Sequence, residues 1–221
     1  MIIAGVDEAG RGPVIGPLVI CAFAVEREGE GRLREMGVKD SKLLPAVQRE
    51  KIAKKIAHFP QAIVEVSAEE ITEYMKRKIS INEMEAEKIA LALLELSKKV
   101  EISEVFADSP DPVAKKFETR IRKYLRGTEL EKVKIVSENK ADYKYPVVGA
   151  ASILAKSMRE KRVSELAAKF GEFGSGYPSD ENTMEFLRKH YKEPALQKHI
   201  RHKWATMRNI RTTEVKLEDF F

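Results

Sequence analysis

The chain opens with a short apolar run that ends in two adjacent acids and passes at once into glycines. Residues 2–6 form the apolar run, Asp7 and Glu8 are the acids, and glycines follow at positions 10, 12 and 16. This order predicts a buried strand that carries a carboxylate pair at its end and leads into a tight loop. Residues 18–25 form a second apolar run, and the short connection favours an antiparallel pair of strands.

The rest of the chain alternates strand-like and helix-like patterns, which indicates an α/β sheet flanked by helices. We predict further strands at residues 62–66, 102–107 and 133–136. Ser67 with Glu70, and Asn82 with Glu85, resemble capping boxes at helix starts, and Pro45 fits the first turn of another helix. Further helices are predicted at residues 113–125 and 150–170, and in the basic region that extends to about residue 211.

Composition bounds the class of protein without choosing a function. The 221 residues are 43% hydrophobic, which suffices for a sizeable core, and 40 Lys and Arg against 35 acids give a net charge of +5. This basic balance favours a polyanionic partner. The single Cys21 lies in an apolar run and indicates a buried thiol in a reducing compartment. The longest apolar stretch is too short to span a bilayer, so we expect a cytoplasmic protein that does not bind a membrane.

Four acids stand where a metal-dependent hydrolase needs them. Asp7 and Glu8 end the first predicted strand, Asp108 ends the fourth, and Asp142 is predicted in a loop before the long helix. Carboxylates that converge from several strand ends can bind divalent cations, which prefer hard oxygen ligands. Each acid also has a plainer interpretation, as a turn residue or a solvated surface charge. Spacing alone leaves both interpretations open.

Six short motifs, in order along the chain, resemble the archaeal-type ribonuclease HII family and together cover most of its length. They are Asp7-Glu8-Ala9-Gly10-Arg11-Gly12-Pro13, Asp40-Ser41-Lys42, Ala107-Asp108, Lys140-Ala141-Asp142, Ala150-Ala151-Ser152-Ile153-Leu154-Ala155-Lys156 and Gly174-Ser175-Gly176-Tyr177-Pro178.

The resemblance implies a ribonuclease H-like fold, a mixed five-stranded sheet flanked by helices, with a small C-terminal helical region. It implies that Asp7, Glu8, Asp108 and Asp142 bind two Mg²⁺ or Mn²⁺ ions. One ion would activate a water for attack on phosphorus, and the other would stabilise the departing 3′ oxygen. The implied reaction cuts the RNA strand of RNA/DNA hybrids and nicks DNA on the 5′ side of embedded ribonucleotides. It leaves 5′-phosphate and 3′-hydroxyl ends and would serve ribonucleotide excision repair and primer removal.

The same resemblance suggests how RNA is told from DNA. Gly10, Arg11 and Gly12 would approach the ribose 2′-hydroxyl, which glycine permits because no Cβ intervenes. Tyr177 would stack on the sugar of the following deoxynucleotide. Lys42, Ser152 and Lys156 are predicted to contact phosphates, the last two from one face of a helix. For these three, solvated helix polarity is the alternative.

The region after the second glycine loop is strongly basic and is predicted to face the duplex. Its cationic side chains are Arg188, Lys189, His190, Lys192, Lys198, His199, Arg201, His202, Lys203, Arg208 and Arg211. His199 and His202 lack the further nearby ligands that a zinc site requires. Trp204 is predicted to pack rather than to stack on a base.

The C-terminal tail resembles the short peptide by which replication and repair proteins bind the sliding clamp. Leu217, Phe220 and Phe221 match its hydrophobic anchors, whereas Glu214 replaces the usual leading glutamine. The alternative is a tail that folds back on its own domain. We therefore predict a catalytic domain at residues 1–178, a substrate-binding helical region at 179–211 and a partner-binding tail at 212–221, in a monomeric protein.

Two other classes of function compete with this interpretation. A transposase or junction resolvase of similar fold would share the acids but lack a 2′-hydroxyl sensor. A hybrid-binding module without catalysis would need only the basic surface, and acids beside phosphates would weaken its binding. A serine nucleophile fits poorly, since no histidine lies near a glycine-flanked serine. The related ribonuclease HIII has a different second acid and an N-terminal extension.

Overall fold

The computed structural model describes residues 1–38 and 44–218, with side chains described through residue 212. Five strands form one sheet: β1 (Ile2–Ala9), β2 (Leu18–Glu26), β3 (Gln61–Val66), β4 (Glu104–Asp108) and β5 (Lys134–Glu138). The strand order is β3-β2-β1-β4-β5. β1 pairs antiparallel with β2 and parallel with β4, and β4 pairs parallel with β5. The predicted mixed five-stranded sheet is confirmed, and so is the antiparallel opening pair.

The helices of the described residues include those predicted, but the basic region up to residue 211, which was expected to be helical, is interrupted at residues 191–204 by turns and one short 3-10 helix. They are α1 (Glu30–Glu35), α2 (Ala46–Ile56), α3 (Ala68–Lys76), α4 (Ile81–Ser97), α5 (Ala114–Leu125), α6 (Ala141–Lys144), α7 (Pro146–Phe170), α8 (Glu181–His190) and α9 (Ala205–Glu218). None of them is both long and apolar enough to cross a membrane.

Three helix starts differ from the prediction for identifiable reasons. Pro45 occupies the N-cap of α2, one position before its first turn. Asn82 lies inside α4 rather than at its cap, and its side-chain amide donates to the carboxylate of Asp111. Pro146 starts α7 four residues earlier than expected, and proline suits a first helical position because its missing N–H has no partner there. The predicted Ser67 cap is confirmed, since its hydroxyl accepts the N–H of Glu70 at 3.0 Å.

The described chain divides into two compact units, both discontinuous in sequence. Unit 1 comprises Met1–Ala9, Val19–Glu65 and Asn82–Met158, and unit 2 comprises Gly10–Leu18, Val66–Ile81 and Arg159–Phe221. The predicted division into residues 1–178, 179–211 and 212–221 stays a prediction.

Helices of unit 1 pack closely on the sheet. Residues of α2 and α7 form a buried cluster with Val19, Cys21 and Phe23 of β2. The alternate residues of β2 are buried as well, so both faces of this strand are covered. The thiol of Cys21 is free and buried, as the sequence predicts. Gly5 of β1 lies so close to α7 that a Cβ would come within 2.3 Å of the Val147 carbonyl carbon.

Unit 2 has its own apolar cluster. Val14, Ile15, Phe173, Leu187 and Ile200 are among its fully buried members, and Trp204 packs against it as predicted. Ile15 and Ile200 also form an isolated antiparallel bridge. The segment after Gly10 is therefore fixed to the chain near residue 200 by backbone and by side chains.

Glu83 of α4 joins that helix to α5 through a network whose loss we expect to destabilise unit 1. Its carboxylate accepts hydrogen bonds from Arg120 (2.6 Å), Lys123 (2.6 Å) and Tyr124 (2.7 Å). Burial alone raises the pKa of Glu83, but these hydrogen bonds outweigh it and lower the pKa to about 2. A carboxylate with a depressed pKa in the folded state stabilises the protein above its unfolded pKa, and this stabilisation is lost as the pH falls towards about 2.

Glu83→Gln should therefore lower the free energy of unfolding by about 1 kcal/mol at pH 7. This difference in stability from the unmodified chain should decrease as the pH falls through 4 towards 2. Urea unfolding across this pH range measures it. Glu95→Gln on the same helix is the control, since Glu95 makes an exposed pair with Lys98 and should change little. A stability difference between the two proteins that does not change with pH would contradict this role of the Glu83 carboxylate.

Candidate active site

The ends of β1 and β4 bring three of the predicted carboxylates together. β1 runs parallel to β4 with Val6 paired with Ala107, so Asp7 and Asp108 are the next residues along two neighbouring strands. Glu8 follows Asp7, and its backbone N–H donates to Oδ1 of Asp7 at 2.7 Å. Because carboxyl ends of parallel strands share one sheet edge, this register makes a compact acidic group.

The electrostatics of Asp7 reflect this crowding. Burial raises the pKa of Asp7 well above its ordinary value, and the nearby charges of Glu8 and Asp108 raise it further. A hydrogen bond from the Ser152 hydroxyl and the one from the Glu8 N–H act in the opposite direction. The carboxylate is 4% exposed, so its negative charge is little solvated. An ionised Asp7 is therefore unfavourable here, and either a proton or a bound cation would relieve the repulsion.

Asp142 lies in a short helix whose first residue is hydrogen-bonded to the end of β4. The backbone N–H of Ala141 donates to Oδ1 of Asp108 at 2.7 Å, which fixes the first residue of α6 to the end of β4. Asp142 is the next residue and is buried. The sequence placed Asp142 in a loop, which is wrong: Lys140 takes a left-handed conformation (φ 60°), and this reversal lets a four-residue helix begin at once.

The chemistry of this donor set fits divalent metal binding. All the candidate ligands are carboxylate oxygens, the kind that Mg²⁺ and Mn²⁺ prefer. Among the residues that the structure describes, no three His, Cys, Asp or Glu side chains already form a metal-binding group. Glu8 and Asp108 are thus close enough to Asp7 to raise its pKa without forming a closed cage.

Ser152 and Lys156 occupy different environments on α7. Ser152 is fully buried, and its hydroxyl donates to Asp7, which favours an orienting role over the predicted phosphate contact. Lys156, one turn later, is partly exposed, so its phosphate contact stays a prediction. Lys42 lies outside the described residues, as do Phe220 and Phe221. Leu217 lies in α9, but its side chain is outside the described part.

The predicted ribose-reading residues lie together within unit 2. A Cβ on Gly12 would lie 3.3 Å from the Tyr177 ring, so the two are in close contact. The backbone N–H groups of Val14 and Ile15 donate to the Gly176 carbonyl at 2.8 and 3.3 Å, which ties the two glycine loops to each other. Gly10 has φ +90°, and its backbone passes close to the Pro17 carbonyl and the Arg159 side chain. Arg11 is partly exposed between the two glycines.

Two buried arginines support these loops, and sequence reasoning missed both roles. The guanidinium of Arg159 lies 5.0 Å from the centre of the Tyr177 ring and donates to the Ser175 carbonyl at 2.8 Å. Arg201 is only 1% exposed, so the prediction that it belongs to the basic surface is wrong. Its guanidinium instead donates to carbonyls of the Gly10–Gly16 loop. The one available signal was an arginine beside buried Ile200, in a region that otherwise alternates cations and polar residues.

Of the two histidines weighed for zinc, His202 already uses both ring nitrogens. Nε2 donates to the Gln197 carbonyl at 2.9 Å, and Nδ1 accepts from Arg211 at 2.8 Å. His199 packs against the Phe170 ring, with centroids 5.5 Å apart. These contacts give both imidazoles structural roles.

Comparison with known proteins identifies the family. The model of the family described as Ribonuclease HII matches residues 4–207. Ribonuclease HII of Pyrococcus furiosus is 41% identical, with 100% of this chain and 99% of that protein covered. That of Methanocaldococcus jannaschii is 40% identical, with 95% of each chain covered.

Solved structures agree. Ribonuclease H2 of Pyrococcus horikoshii OT3 matches with a TM-score of 0.85 and 41% identity, over 96% of this chain and 98% of that one. Ribonuclease HII in a PCNA complex from Archaeoglobus fulgidus matches with a TM-score of 0.80 and 38% identity, over 92% and 95%. Bst-RNase HIII in complex with Mn²⁺, at 22% identity and a TM-score of 0.78 over 96% of this chain and 70% of that one, shows the fold alone. The chain belongs to the ribonuclease HII family, whose members are divalent-metal-dependent hydrolases of the ribonuclease H class.

Proposed function

We propose that this chain cleaves the RNA strand of RNA/DNA hybrids and nicks duplex DNA on the 5′ side of embedded ribonucleotides. The observation that carries the proposal is the crowded acidic group at the ends of β1 and β4, where Asp7 is buried beside Glu8 and Asp108. A divalent cation would stabilise such a group in its ionised form, and the chain continues from Glu8 directly into a glycine loop suited to close approach by a ribose.

Asp7, Glu8, Asp108 and Asp142 would hold two divalent ions, Mg²⁺ or Mn²⁺, which would supply an activated water and would stabilise the leaving 3′ oxygen. The chain's own residues hold these ligands in place. Ser152 orients the Asp7 carboxylate through its hydroxyl, and the Ala141 N–H orients that of Asp108. The products would carry 5′-phosphate and 3′-hydroxyl ends.

Substrate selection would rest on unit 2. The peptide groups of Gly10, Arg11 and Gly12 would hydrogen-bond the ribose 2′-hydroxyl, and Tyr177 would stack on the next deoxyribose. The contact between Gly12 and the Tyr177 ring supports recognition of an RNA-to-DNA junction by the glycine loop and Tyr177 together. Lys42, Lys156 and the exposed cations of residues 179–211 would bind phosphates. The activity would serve ribonucleotide excision repair and primer removal, in the cytoplasm and by a monomer.

The test of this proposal is a labelled RNA/DNA hybrid incubated with Mg²⁺, with Mn²⁺ or with EDTA, followed by analysis of the product ends. We expect endonucleolytic cuts with either metal, none in EDTA, and products that a ligase joins without end repair. Equal cutting of an all-DNA duplex would favour the resolvase or transposase alternative. Tight binding with no cut under either metal would favour the binding module.

The C-terminal tail is proposed to bind a sliding clamp through Leu217, Phe220 and Phe221. The related Archaeoglobus fulgidus protein was solved in a complex with PCNA, which supports this partner. Deleting residues 217–221 should weaken binding to an archaeal PCNA by at least about tenfold, because a few buried apolar anchors supply most of the binding free energy of such an interface. Cleavage of short substrates should be unchanged.

Surface plasmon resonance on immobilised PCNA measures this prediction. A variant with the same five residues in scrambled order keeps their composition and charge and serves as the control. It should lose binding as the deletion does. Unchanged clamp affinity in the truncated protein would rule out the proposal and favour a tail that folds back on its own domain.

A further inference from the structure

Arg201 stands out because a long cationic side chain is almost completely buried beside the proposed ribose-reading loop. Its exposed fraction is 1%, and burial of a charge is unfavourable unless polar groups surround it. Nη2 donates to the carbonyls of Gly10 (2.6 Å) and Gly16 (3.0 Å), Nη1 to that of Arg11 (2.9 Å), and Nε to that of Gly16 (3.1 Å). One guanidinium thus donates hydrogen bonds to three carbonyls of a single loop.

These hydrogen bonds fix the direction of the peptide groups that precede Arg11 and Gly12. All peptide bonds of the described residues are trans, and in a trans peptide the C=O and the following N–H point in opposite directions. With the carbonyls of Gly10 and Arg11 turned towards Arg201, the N–H groups of Arg11 and Gly12 are turned away from it. Two backbone donors are thereby held in a set orientation on the glycine loop.

Trp204 completes the arrangement. Its indole Nε1 donates to the Gly12 carbonyl at 3.1 Å, and its ring lies 5.1 Å from the Arg201 guanidinium. Pro13 follows Gly12 and has no N–H, so the indole satisfies the one polar group of that peptide that needs a partner. Three successive carbonyls, at residues 10, 11 and 12, are therefore held by the side chains of Arg201 and Trp204.

We propose that Arg201 is a positioning residue that sets the specificity of the enzyme for ribonucleotides by holding the Arg11 and Gly12 N–H groups in their reading orientation. The inference rests on the proposed function of the loop as the 2′-hydroxyl sensor. Arg201 touches no reacting group in this scheme. Its contribution is preorganisation, which a binding site needs if a single hydroxyl is to be distinguished.

The test compares Arg201→Lys and Arg201→Met with the unmodified chain. Binding is measured by fluorescence anisotropy in Ca²⁺ or EDTA, on a duplex with one ribonucleotide and on its all-DNA counterpart. The unmodified chain should prefer the ribonucleotide, and Arg201→Met should lose most of this preference while its all-DNA affinity stays within about twofold. Arg201→Lys keeps the charge but not the planar fork of donors, and should retain an intermediate preference.

Two further readouts separate positioning from a general structural role. The thermal stabilisation that Mn²⁺ produces through the carboxylates should be the same in Arg201→Lys as in the unmodified chain. In a double-mutant cycle with Gly12→Ala, the effects on kcat/KM for the ribonucleotide substrate should be non-additive, because both changes act on one loop. Arg77→Met, an exposed arginine of unit 2, is the matched control and should leave all values unchanged.

A folded Arg201→Met that keeps its ribonucleotide preference would overturn the inference. If that variant does not fold, an Arg201→Lys protein whose ribonucleotide preference equals that of the unmodified chain would overturn it. Additive effects in the cycle would also contradict it. Failure of the proposed function is distinguishable from failure of the Arg201 inference, because the unmodified chain itself would then show no preference for the ribonucleotide.

Discussion

Asp7→Asn should abolish cleavage and at the same time stabilise the metal-free protein. Loss of one carboxylate from a site that binds divalent ions removes several kcal/mol of transition-state stabilisation, so we expect a decrease in kcat of about 10³-fold or more. In EDTA the same change relieves the repulsion that Glu8 and Asp108 exert on a buried charge, and the free energy of unfolding should rise.

Addition of metal should then reverse the order of stability. Ions that bind the folded state alone stabilise the unmodified chain by about 2.7 kcal/mol per site at a concentration of 100 Kd, and Asp7→Asn should gain much less. Denaturant unfolding in EDTA and in Mn²⁺ gives both values. The control is Glu104→Gln at the other end of β4, where the carboxylate pairs with Arg27 and Lys134.

Glu104→Gln should reduce stability and keep the activity, the opposite of Asp7→Asn on both counts. The contrast matters because both residues are buried acids of unit 1. If Asp7→Asn lowered the stability of the metal-free protein while cleavage persisted, Asp7 would be a structural acid, and the proposed metal site would be wrong.

Among glycine-to-alanine substitutions in the described part of unit 1, Gly5→Ala should lower the free energy of unfolding the most. The added Cβ would lie 2.3 Å from the carbonyl carbon of Val147, 2.4 Å from its oxygen and 2.5 Å from the Val148 nitrogen. All three atoms are backbone, so relief requires that α7 move off β1. We expect a loss of about 3 kcal/mol or more in the free energy of unfolding, the upper range for overpacking.

Urea unfolding measures this effect, and Gly31→Ala in α1 is the matched control. Apart from the chain neighbours and the helix's own backbone, no atom of the described residues lies within 4 Å of a Cβ at Gly31, so alanine there should stabilise the helix by up to about 1 kcal/mol. Gly5→Ala should also reduce activity in the molecules that fold, because Gly5 and Asp7 share one face of β1 and α7 carries Ser152. A Gly5→Ala protein with unchanged stability would contradict the close approach of α7.

The strand ends were predictable because hydrophobic runs and the acids that end them are adjacent in sequence. The antiparallel β1 and β2 and the placement of Asp7, Glu8 and Asp108 follow from such local patterns. Asp142 shows where they fail. Its helix depends on the left-handed Lys140 and on a hydrogen bond between Ala141 and Asp108, which lie 33 residues apart in sequence.

Arg201 marks a deeper limit of sequence reasoning. Spacing among cations indicates a solvated basic face, and the apolar neighbour Ile200 is the one local feature that sets this arginine apart from the cations around it. Its acceptors are carbonyls 185 to 191 residues earlier in the chain, and only the fold brings them within reach. The role of Ser152 was missed for a similar reason, since helix spacing does not reveal a buried carboxylate partner on another element.

Cleavage at a ribonucleotide is measured on a labelled duplex that contains one ribonucleotide, incubated with Mg²⁺ or EDTA and compared with an all-DNA duplex. We expect a single metal-dependent nick on the 5′ side of the ribonucleotide, absent from the all-DNA control and lost in Asp7→Asn. A nick of equal yield in the all-DNA duplex, or one that survives Asp7→Asn, would contradict it.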